Sequence, residues 1–127
     1  MRTDRATRVL VVDDEWLIRW SLRAALEATG HIVADAADAA AALSALAGDR
    51  ARPDAVVLDY RLPDSHDLSL LSAIRRGAPA TRVIMMTAHS TDEMIRGALD
   101  LGAYRVVSKP FEVDRMADLV ADALASV

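Results

Sequence analysis

Short runs of apolar residues alternate along the chain with longer stretches in which apolar residues recur at every third or fourth position. Five such runs are present, the last of them weaker: residues 9–12, 55–58, 82–86, 104–107 and 32–34. Short, continuous, β-branched runs are typical of strands that are buried on both faces of a parallel sheet. The pattern therefore predicts five strands, the first over about residues 8–12, each followed by a helix.

The helical stretches carry start and stop signals at their ends. Asp14 stands where a cap of the first helix is expected, Asp38 stands where a cap of the second is expected, and Gly30 follows the first helix. Similar signals predict a fourth helix over about residues 91–101 and a last helix over about residues 112–126. Repeated strand–helix alternation implies an α/β architecture, a parallel sheet with helices on both faces.

The bulk composition narrows the class of protein. The chain has 127 residues, of which 53% are hydrophobic and 27% charged, so one globular domain is expected rather than a disordered chain. It has no cysteine, which excludes disulfides and thiolate chemistry, and its net charge of −4 offers no basic surface for direct binding of nucleic acid. The run at residues 9–12 is too short for a signal peptide or a membrane span, so we expect a cytoplasmic protein without a membrane partner.

Polar residues follow four of the predicted strands, at the points where those strands end. Asp13 and Asp14 follow the first strand, Asp59 the third, Thr87 the fourth and Lys109 the fifth. Each alone has an ordinary structural explanation, such as a helix cap, a turn residue, a strand end or a solvated lysine. In an open parallel sheet, however, the carboxyl ends of the strands form the ligand-binding edge. We therefore expect these residues to converge on one site.

The expected site has a consistent chemistry. Three carboxylates in close proximity repel one another, so one of them holds a proton or a cation binds between them. With no histidine or cysteine cluster nearby, oxygen ligands favour Mg²⁺. A carboxylate at such a site can attack phosphorus to give an aspartyl phosphate, while Mg²⁺ and Lys109 neutralise charge and Thr87 donates a hydrogen bond.

Four strings of the sequence resemble the signature blocks of response-regulator receiver domains of bacterial two-component systems. They are VLVVDDE, VVLDYRLPD, VIMMTAH and VVSKPF, and both their order and their spacing match. The resemblance covers essentially the whole chain, so it implies one receiver domain over residues 1–127, with an acidic site at 13–14 and a phosphoacceptor loop at 59–67. It also implies a flavodoxin-like (βα)5 fold with strand order 2-1-3-4-5.

The resemblance assigns a role to each polar residue at the strand ends. Asp59 is expected to accept the phosphoryl group, which Thr87 and Lys109 contact. The residues expected to hold Mg²⁺ are Asp14 and Asp59 directly, Asp13 through water, and Arg61 through its backbone carbonyl.

A function and a set of partners follow from the same resemblance. A receiver domain takes a phosphoryl group from a phosphohistidine of a sensor histidine kinase or a phosphotransfer protein, and it relays the signal by changing conformation. It phosphorylates and dephosphorylates itself, so it is a switch and not a turnover enzyme. The face of helix four, strand five and helix five is the expected surface for partners, including a second copy in a homodimer.

Several positions depart from the common receiver pattern. Val106 stands where many receivers carry an aromatic residue that swings inward, so we expect helix four or Tyr104 to move instead. Tyr104 is expected to face the same side of the sheet as Val106, two residues later. Asp67 replaces a common glycine and is expected to cap the third helix. Arg61 and His89 occupy variable positions that in this family tune how fast the phosphoryl group is lost.

Two tryptophans on the first helix have different expectations. Trp20 falls between Ile18 and Leu22, off the apolar stripe, so it is expected to be exposed and would suit a partner surface. For Trp16, core packing and exposure both remain open.

Other functions compete with the phosphorylation switch. A receiver-like interaction module that does not switch remains open, because Val106 replaces the usual aromatic residue. A Mg²⁺-dependent phosphatase would need a second acid two residues after its aspartyl nucleophile, where Arg61 stands. A nucleotide binder would need a glycine-rich loop after the first strand, where the sequence has Asp-Asp-Glu.

Overall fold

Five parallel strands form the centre of the computed structural model, which describes residues 6–47 and 52–126. The strands are β1 (Arg8–Val12), β2 (Ile32–Ala36), β3 (Ala55–Asp59), β4 (Arg82–Thr87) and β5 (Arg105–Ser108). The helices that follow them are α1 (Trp16–Ala28), α2 (Ala39–Ala47), α3 (Ser69–Gly77), α4 (Asp92–Asp100) and α5 (Val113–Ala125). The strand order is β2-β1-β3-β4-β5 and all neighbouring strands are parallel, which confirms the predicted flavodoxin-like (βα)5 fold.

Side chains of the strands alternate between two hydrophobic clusters on opposite faces of the sheet. In β1, Val9 and Val11 pack in the cluster with residues of α1 and α5, whereas Leu10 and Val12 pack with residues of α2, α3 and α4. Every residue of the central strand β3 is buried, as its continuous apolar run predicts. The edge strand β2 is largely exposed, which explains why its apolar run is weaker, and it extends to Ala36, two residues beyond the predicted run at 32–34.

The register of the sheet brings the predicted site residues to one edge. Val12 pairs with Leu58 across β1 and β3, so the next residues of the two segments, Asp13 and Asp59, lie side by side. Thr87 ends β4, the other neighbour of β3, at the same edge. The parallel arrangement therefore gathers residues that are far apart in sequence.

Helix caps near the site agree with the sequence at one position and differ at another. The Oδ1 atom of Asp38 accepts a hydrogen bond from the Ala41 N–H at 2.7 Å, as expected for a cap of α2. The predicted cap at Asp14 is wrong, because Glu15 precedes α1 and no side chain caps that helix. Instead Asp13 Oδ1 accepts from the Glu15 N–H at 2.9 Å. This tight turn leaves the Asp14 carboxylate free of a capping role.

The bounds of α4 match the predicted residues 91–101 closely. Thr91 caps its start, since Thr91 Oγ1 accepts a hydrogen bond from the Met94 N–H at 3.1 Å. Gly102 follows its end with a φ of +104°, a conformation that glycine adopts without strain. The sequence also predicts that the helix after Asp38 ends near Gly48, a position that lies outside the described residues.

Both tryptophans of α1 are on the side of the helix that faces away from the core. Trp16 is 68% exposed and Trp20 is 62% exposed, whereas Leu22 and Leu26 on the inner side are fully buried. The expectation for Trp20 is confirmed, and Trp16 proves to be exposed as well. In the part of the chain that the structure describes, no helix combines the length and apolar character needed to cross a membrane.

Candidate functional site

Three carboxylates meet at the carboxyl end of the central strands. Asp13, Asp14 and Asp59 each offer one oxygen, and these oxygens all lie within 4.8 Å of one another. Asp13 is completely buried and Asp59 is only 6% exposed, whereas Asp14 is open to solvent. Oxygen donors gathered around one point, with one side accessible, suit a hard divalent cation that keeps some of its water.

Lys109 brings a positive charge between the two buried carboxylates. Its Nζ atom is 2.8 Å from Asp13 Oδ2 and 3.2 Å from Asp59 Oδ2, and the more exposed Glu15 Oε1 is 3.7 Å away. The Lys109 backbone N–H donates to the Thr87 carbonyl at 2.7 Å, which ties the segment after β5 to the end of β4. The lysine therefore links three strand ends through both its side chain and its backbone.

The ionisation of Asp59 reflects opposing effects. Burial and, after it, the charge of Asp13 raise the pKa of Asp59 to about 6, although the Lys109 charge, its hydrogen bond and the Arg61 N–H oppose the rise. For Lys109, burial lowers the pKa, but contacts with Asp13 and Asp59 outweigh burial and raise it overall. The site therefore holds a carboxylate that is poorly stabilised as an anion beside a lysine that remains charged.

One open cleft of about 220 Å³ brings most of the predicted site residues together. Its lining includes Asp14, Asp59, Arg61, Thr87, His89 and Lys109. Thr87 is buried, and its Oγ1 atom accepts a hydrogen bond from the His89 N–H at 3.2 Å. Because a hydroxyl is also a donor, Thr87 can still donate a hydrogen bond toward a ligand in the cleft.

The segment after Asp59 forms a tight loop that is fastened at two places. Leu62 is buried, and its N–H donates to the Ser65 carbonyl at 2.8 Å while the Ser65 N–H donates back to the Leu62 carbonyl at 3.2 Å. The Asp64 carboxylate accepts hydrogen bonds from the N–H groups of Ala39 at 2.8 Å and Ala40 at 3.0 Å. These two amide contacts hold the pKa of Asp64 below its ordinary value.

The role of Asp64 was missed at the level of sequence, where it reads only as a loop residue. Its partners lie 25 and 24 residues earlier in the chain, so no local pattern could identify them. The predicted cap of α3 at Asp67 is wrong, because Leu68 holds the cap position and no side chain caps the helix; Asp67, one residue earlier, instead accepts from the Ser69 N–H at 2.8 Å through its Oδ1. Its neighbour His66 is exposed.

A comparison with protein families identifies the chain. The description "Response regulator receiver domain" matches residues 9–121. The chain belongs to this family. The match spans all five strands and every residue of the site, and it confirms the family resemblance inferred from the four sequence strings.

Relatives of this receiver domain include both long and short proteins. The DNA-binding transcriptional regulator NtrC of Escherichia coli (strain K12) is 38% identical over 117 residues, which are 92% of this chain but 24% of NtrC. The sporulation initiation phosphotransferase F of Bacillus subtilis (strain 168) is 33% identical over 113 residues, 89% of this chain and 90% of that protein. The crystal structure of the receiver domain of NtrX from Brucella abortus has a TM-score of 0.83 at 38% identity, covering 94% and 99% of the two chains.

The positions at which this receiver domain departs from its family lie around the cleft and behind it. Arg61 and His89 are exposed at the rim of the cleft. Val106 packs in the cluster with α2, α3 and α4, whereas Tyr104 packs in the opposite cluster with α1 and α5. The expectation that these two face the same side is wrong. Tyr104 lies in the bend before β5, where the alternation of strand side chains does not yet apply.

Proposed function

We propose that this receiver domain is a phosphorylation-activated switch of a two-component system. It takes a phosphoryl group from a phosphohistidine of a sensor histidine kinase or a phosphotransfer protein onto Asp59, in a reaction that depends on Mg²⁺, and relays the signal by conformational change. One observation carries the proposal: three carboxylate oxygens lie within 4.8 Å of one another, and Lys109 contacts two of the carboxylates.

The donor set of the site fits Mg²⁺. The proposed ligands are Asp14 and Asp59 directly, Asp13 through water, and Arg61 through its backbone carbonyl. These are all oxygen donors, and a cation beside Asp59 would offset the burial and the charge repulsion that raise its pKa. When bound, Mg²⁺ would supply positive charge to the oxygens of the transferred phosphoryl group.

The side chains of the cleft then divide the work of phosphoryl transfer. An Asp59 carboxylate oxygen forms the new bond to phosphorus as the bond from phosphorus to the donor imidazole breaks. Lys109, already 3.2 Å from Asp59, balances the charge of the phosphoryl group. Thr87 donates its hydroxyl hydrogen to a phosphoryl oxygen and moves inward, and the segment that leads from Thr87 to α4 moves with it.

Other residues set the lifetime and the readout of the signal. Arg61 and His89, at the rim of the cleft, are proposed to tune how fast the phosphoryl group is lost by hydrolysis. The domain thus phosphorylates and dephosphorylates itself, as a switch and not as a turnover enzyme. We assign partner binding, and a homodimer, to the face of α4, β5 and α5, where Leu99 and Leu101 are exposed apolar residues.

The likeness to NtrC extends the proposal to transcription regulation. NtrC is described as a DNA-binding transcriptional regulator, and this chain corresponds to 24% of its length. In such a setting the receiver domain would control an output that lies in other parts of the protein, and it would not itself contact nucleic acid.

A second candidate is an interaction module that holds partners without a phosphate-driven switch. The observation that favours it is Val106, a short branched side chain packed in the core cluster where many receivers have a mobile aromatic ring. The intact set of Asp13, Asp14, Asp59, Thr87 and Lys109 favours the switch.

Phosphorylation from a small phosphodonor tests the proposed function. In the presence of Mg²⁺, intact-mass analysis of the parent should detect one added phosphoryl group, and chelation of Mg²⁺ should prevent it. Asp59→Asn should take up none. Asp35→Asn is the matched control, since Asp35 is an exposed aspartate whose carboxylate pairs with Arg23 and is not among the residues that line the cleft, and it should behave as the parent. Equal modification of Asp59→Asn and the parent would refute the assignment of Asp59.

A further inference from the structure

The loop between Asp59 and α3 is hydrogen-bonded to the start of α2, the helix that follows the edge strand β2. Asp64 uses both carboxylate oxygens for this contact, Oδ1 to the Ala39 N–H at 2.8 Å and Oδ2 to the Ala40 N–H at 3.0 Å. Ala39 and Ala40 are the first two residues of α2. The carboxylate therefore grips the start of α2 in a forked arrangement that fixes its direction as well as its distance.

Two different carboxylates satisfy the first amides of α2. The N–H groups of the first turn of a helix have no partner within the helix, so they need acceptors from outside it. Asp38, the residue before α2, accepts from Ala41 at 2.7 Å, and Asp64 accepts from Ala39 and Ala40. Asp38 is a local cap, whereas Asp64 joins the helix to a distant loop. A comparison of Asp38 with Asp64 therefore separates the effect of capping a helix from the effect of also attaching a loop to that helix.

The contact between Asp64 and α2 can influence the proposed metal site through one peptide group, that between Arg61 and Leu62. The carbonyl of Arg61 and the N–H of Leu62 belong to the same peptide unit, which is planar and trans, so the two bonds point in opposite directions. The Leu62 N–H donates to the Ser65 carbonyl at 2.8 Å. Whatever holds Ser65 therefore orients the Arg61 carbonyl, and Ser65 directly follows Asp64.

The other contacts of this segment act on neighbouring groups and not on the Arg61–Leu62 peptide itself: the Tyr60 N–H, for example, donates to the Met86 carbonyl at 2.8 Å. The Arg61 side chain is exposed, and the Arg61 N–H is 3.4 Å from Asp59 Oδ1, which is a long contact. Leu62 anchors the loop to the core by burial, but a buried side chain can leave its peptide group free to tilt. The hydrogen bonds between Leu62 and Ser65, backed by the contacts of Asp64 with α2, act directly on the Arg61–Leu62 peptide.

We propose that Asp64 is a positioning residue for the metal site: by clamping the loop to the start of α2, it fixes the Arg61–Leu62 peptide and directs the Arg61 carbonyl toward the site. This inference rests on the proposed function for the assignment of that carbonyl as a Mg²⁺ ligand. The Asp64 carboxylate forms its hydrogen bonds with Ala39 and Ala40 and not with the three carboxylates of the site, so its effect passes through the loop.

The test compares Asp64→Ala with Asp38→Ala in the full chain, using titration with Mg²⁺ alone. Both variants remove an acceptor from the same helix end, so both should lower the thermal midpoint. Only Asp64→Ala should weaken Mg²⁺ binding, by about tenfold, the lower end of what loss of an outer-shell partner costs. Asp64→Asn keeps one acceptor oxygen and should fall between the parent and Asp64→Ala.

A second measurement keeps the clamp testable without metal. Hydrogen exchange of the Leu62 amide, followed by NMR in the absence of Mg²⁺, should speed up in Asp64→Ala and Asp64→Asn but not in Asp38→Ala. An unchanged Leu62 amide in both Asp64 variants would overturn the clamp. Equal loss of Mg²⁺ affinity in Asp64→Ala and Asp38→Ala would reduce Asp64 to a cap. Failure of the parent to bind Mg²⁺ would overturn the proposed function, and the Leu62 amide would still decide the clamp.

Discussion

At the scale of single residues, Asp59 is the group whose charged form the site disfavours. Burial and the neighbouring charge of Asp13 disfavour its anion, and contacts with Lys109 recover only part of that cost. The net effect raises the Asp59 pKa from 3.8 to about 6. The charged Asp59 carboxylate therefore destabilises the fold at neutral pH, but it also favours binding of a cation. Such a conflict between stability and binding is expected of a functional group.

Removal of the Asp59 charge should therefore stabilise the metal-free protein. The folded state binds more protons than the unfolded state between the unfolded pKa near 3.8 and the folded pKa near 6, so the parent loses stability as pH rises through that window. Asp59→Asn has no such proton to lose. Urea unfolding without metal should find Asp59→Asn more stable than the parent at pH 7, with a difference that shrinks as pH falls through the window. A difference that grows toward low pH would contradict this origin.

Residue identity at the site could be predicted from sequence, but geometry could not. The positions of Asp13, Asp14, Asp59, Thr87 and Lys109 after strand ends marked them as one set, because parallel strands end at the same edge. The Lys109 contacts depend on side-chain paths that no pattern encodes. The same holds for Asp64, whose partners lie on a different helix.

At the scale of elements, local signals predicted some helix ends and failed at others. Thr91 and Gly102 flank α4, and the predicted bounds agree with the observed Asp92–Asp100. The cap at Asp14 failed because the turn after β1 uses Asp13 instead, and that choice depends on the burial of Asp13. The local capping preference of Asp14 is thus overridden by the buried position of Asp13.

Gly97 gives α4 two properties at once. Glycine in a helix costs about 1 kcal/mol relative to alanine, which weakens the element. It also permits a close approach, because a Cβ atom at Gly97 would lie 3.1 Å from Leu68 Cδ1, just before α3. α4 is therefore a weak helix packed closely against Leu68, at the end of the loop that follows Asp59.

Gly97→Ala should stabilise the protein by less than about 1 kcal/mol, because the need to displace the Leu68 side chain offsets part of the gain in helix propensity. Leu68 is only half-buried and the contact involves the flexible end of its side chain, so it can move. Thermal unfolding should show a larger gain when Gly97→Ala is made in a Leu68→Ala background, where the contact is absent. A loss of stability in both backgrounds would mean that the glycine is required for another reason.

At the scale of the whole molecule, the alternation of apolar runs and helical patterns was enough to predict an α/β sheet, and the family resemblance supplied its strand order. The register that sets Asp13 beside Asp59 came only with the structure. The sequence also did not decide whether Trp16 is buried or exposed. Trp16 is the first residue of α1, and helix propensity alone does not say which way a first residue faces. Its exposure beside Trp20 gives α1 an exposed apolar surface of its own.

We expect a phosphoryl group on Asp59 to change the molecule by a specific route. Thr87 moves toward the phosphoryl group, and Val106, short and branched, cannot travel far enough to fill the space that is left. The weak and closely packed α4 is then the element that adjusts. Tyr104 is a less suitable candidate than the sequence suggested, because it lies on the opposite face of the sheet.

Hydrogen exchange with and without beryllofluoride, a noncovalent substitute for the phosphoryl group, is the measurement that tests this most directly. In the presence of Mg²⁺, amides of α4 should change their exchange rates in the parent, and those of Asp59→Asn should not. Identical exchange across α4 in the beryllofluoride-bound parent, with changes elsewhere, would contradict the route through α4. No change at any amide outside the cleft would contradict the switch itself and favour the interaction module.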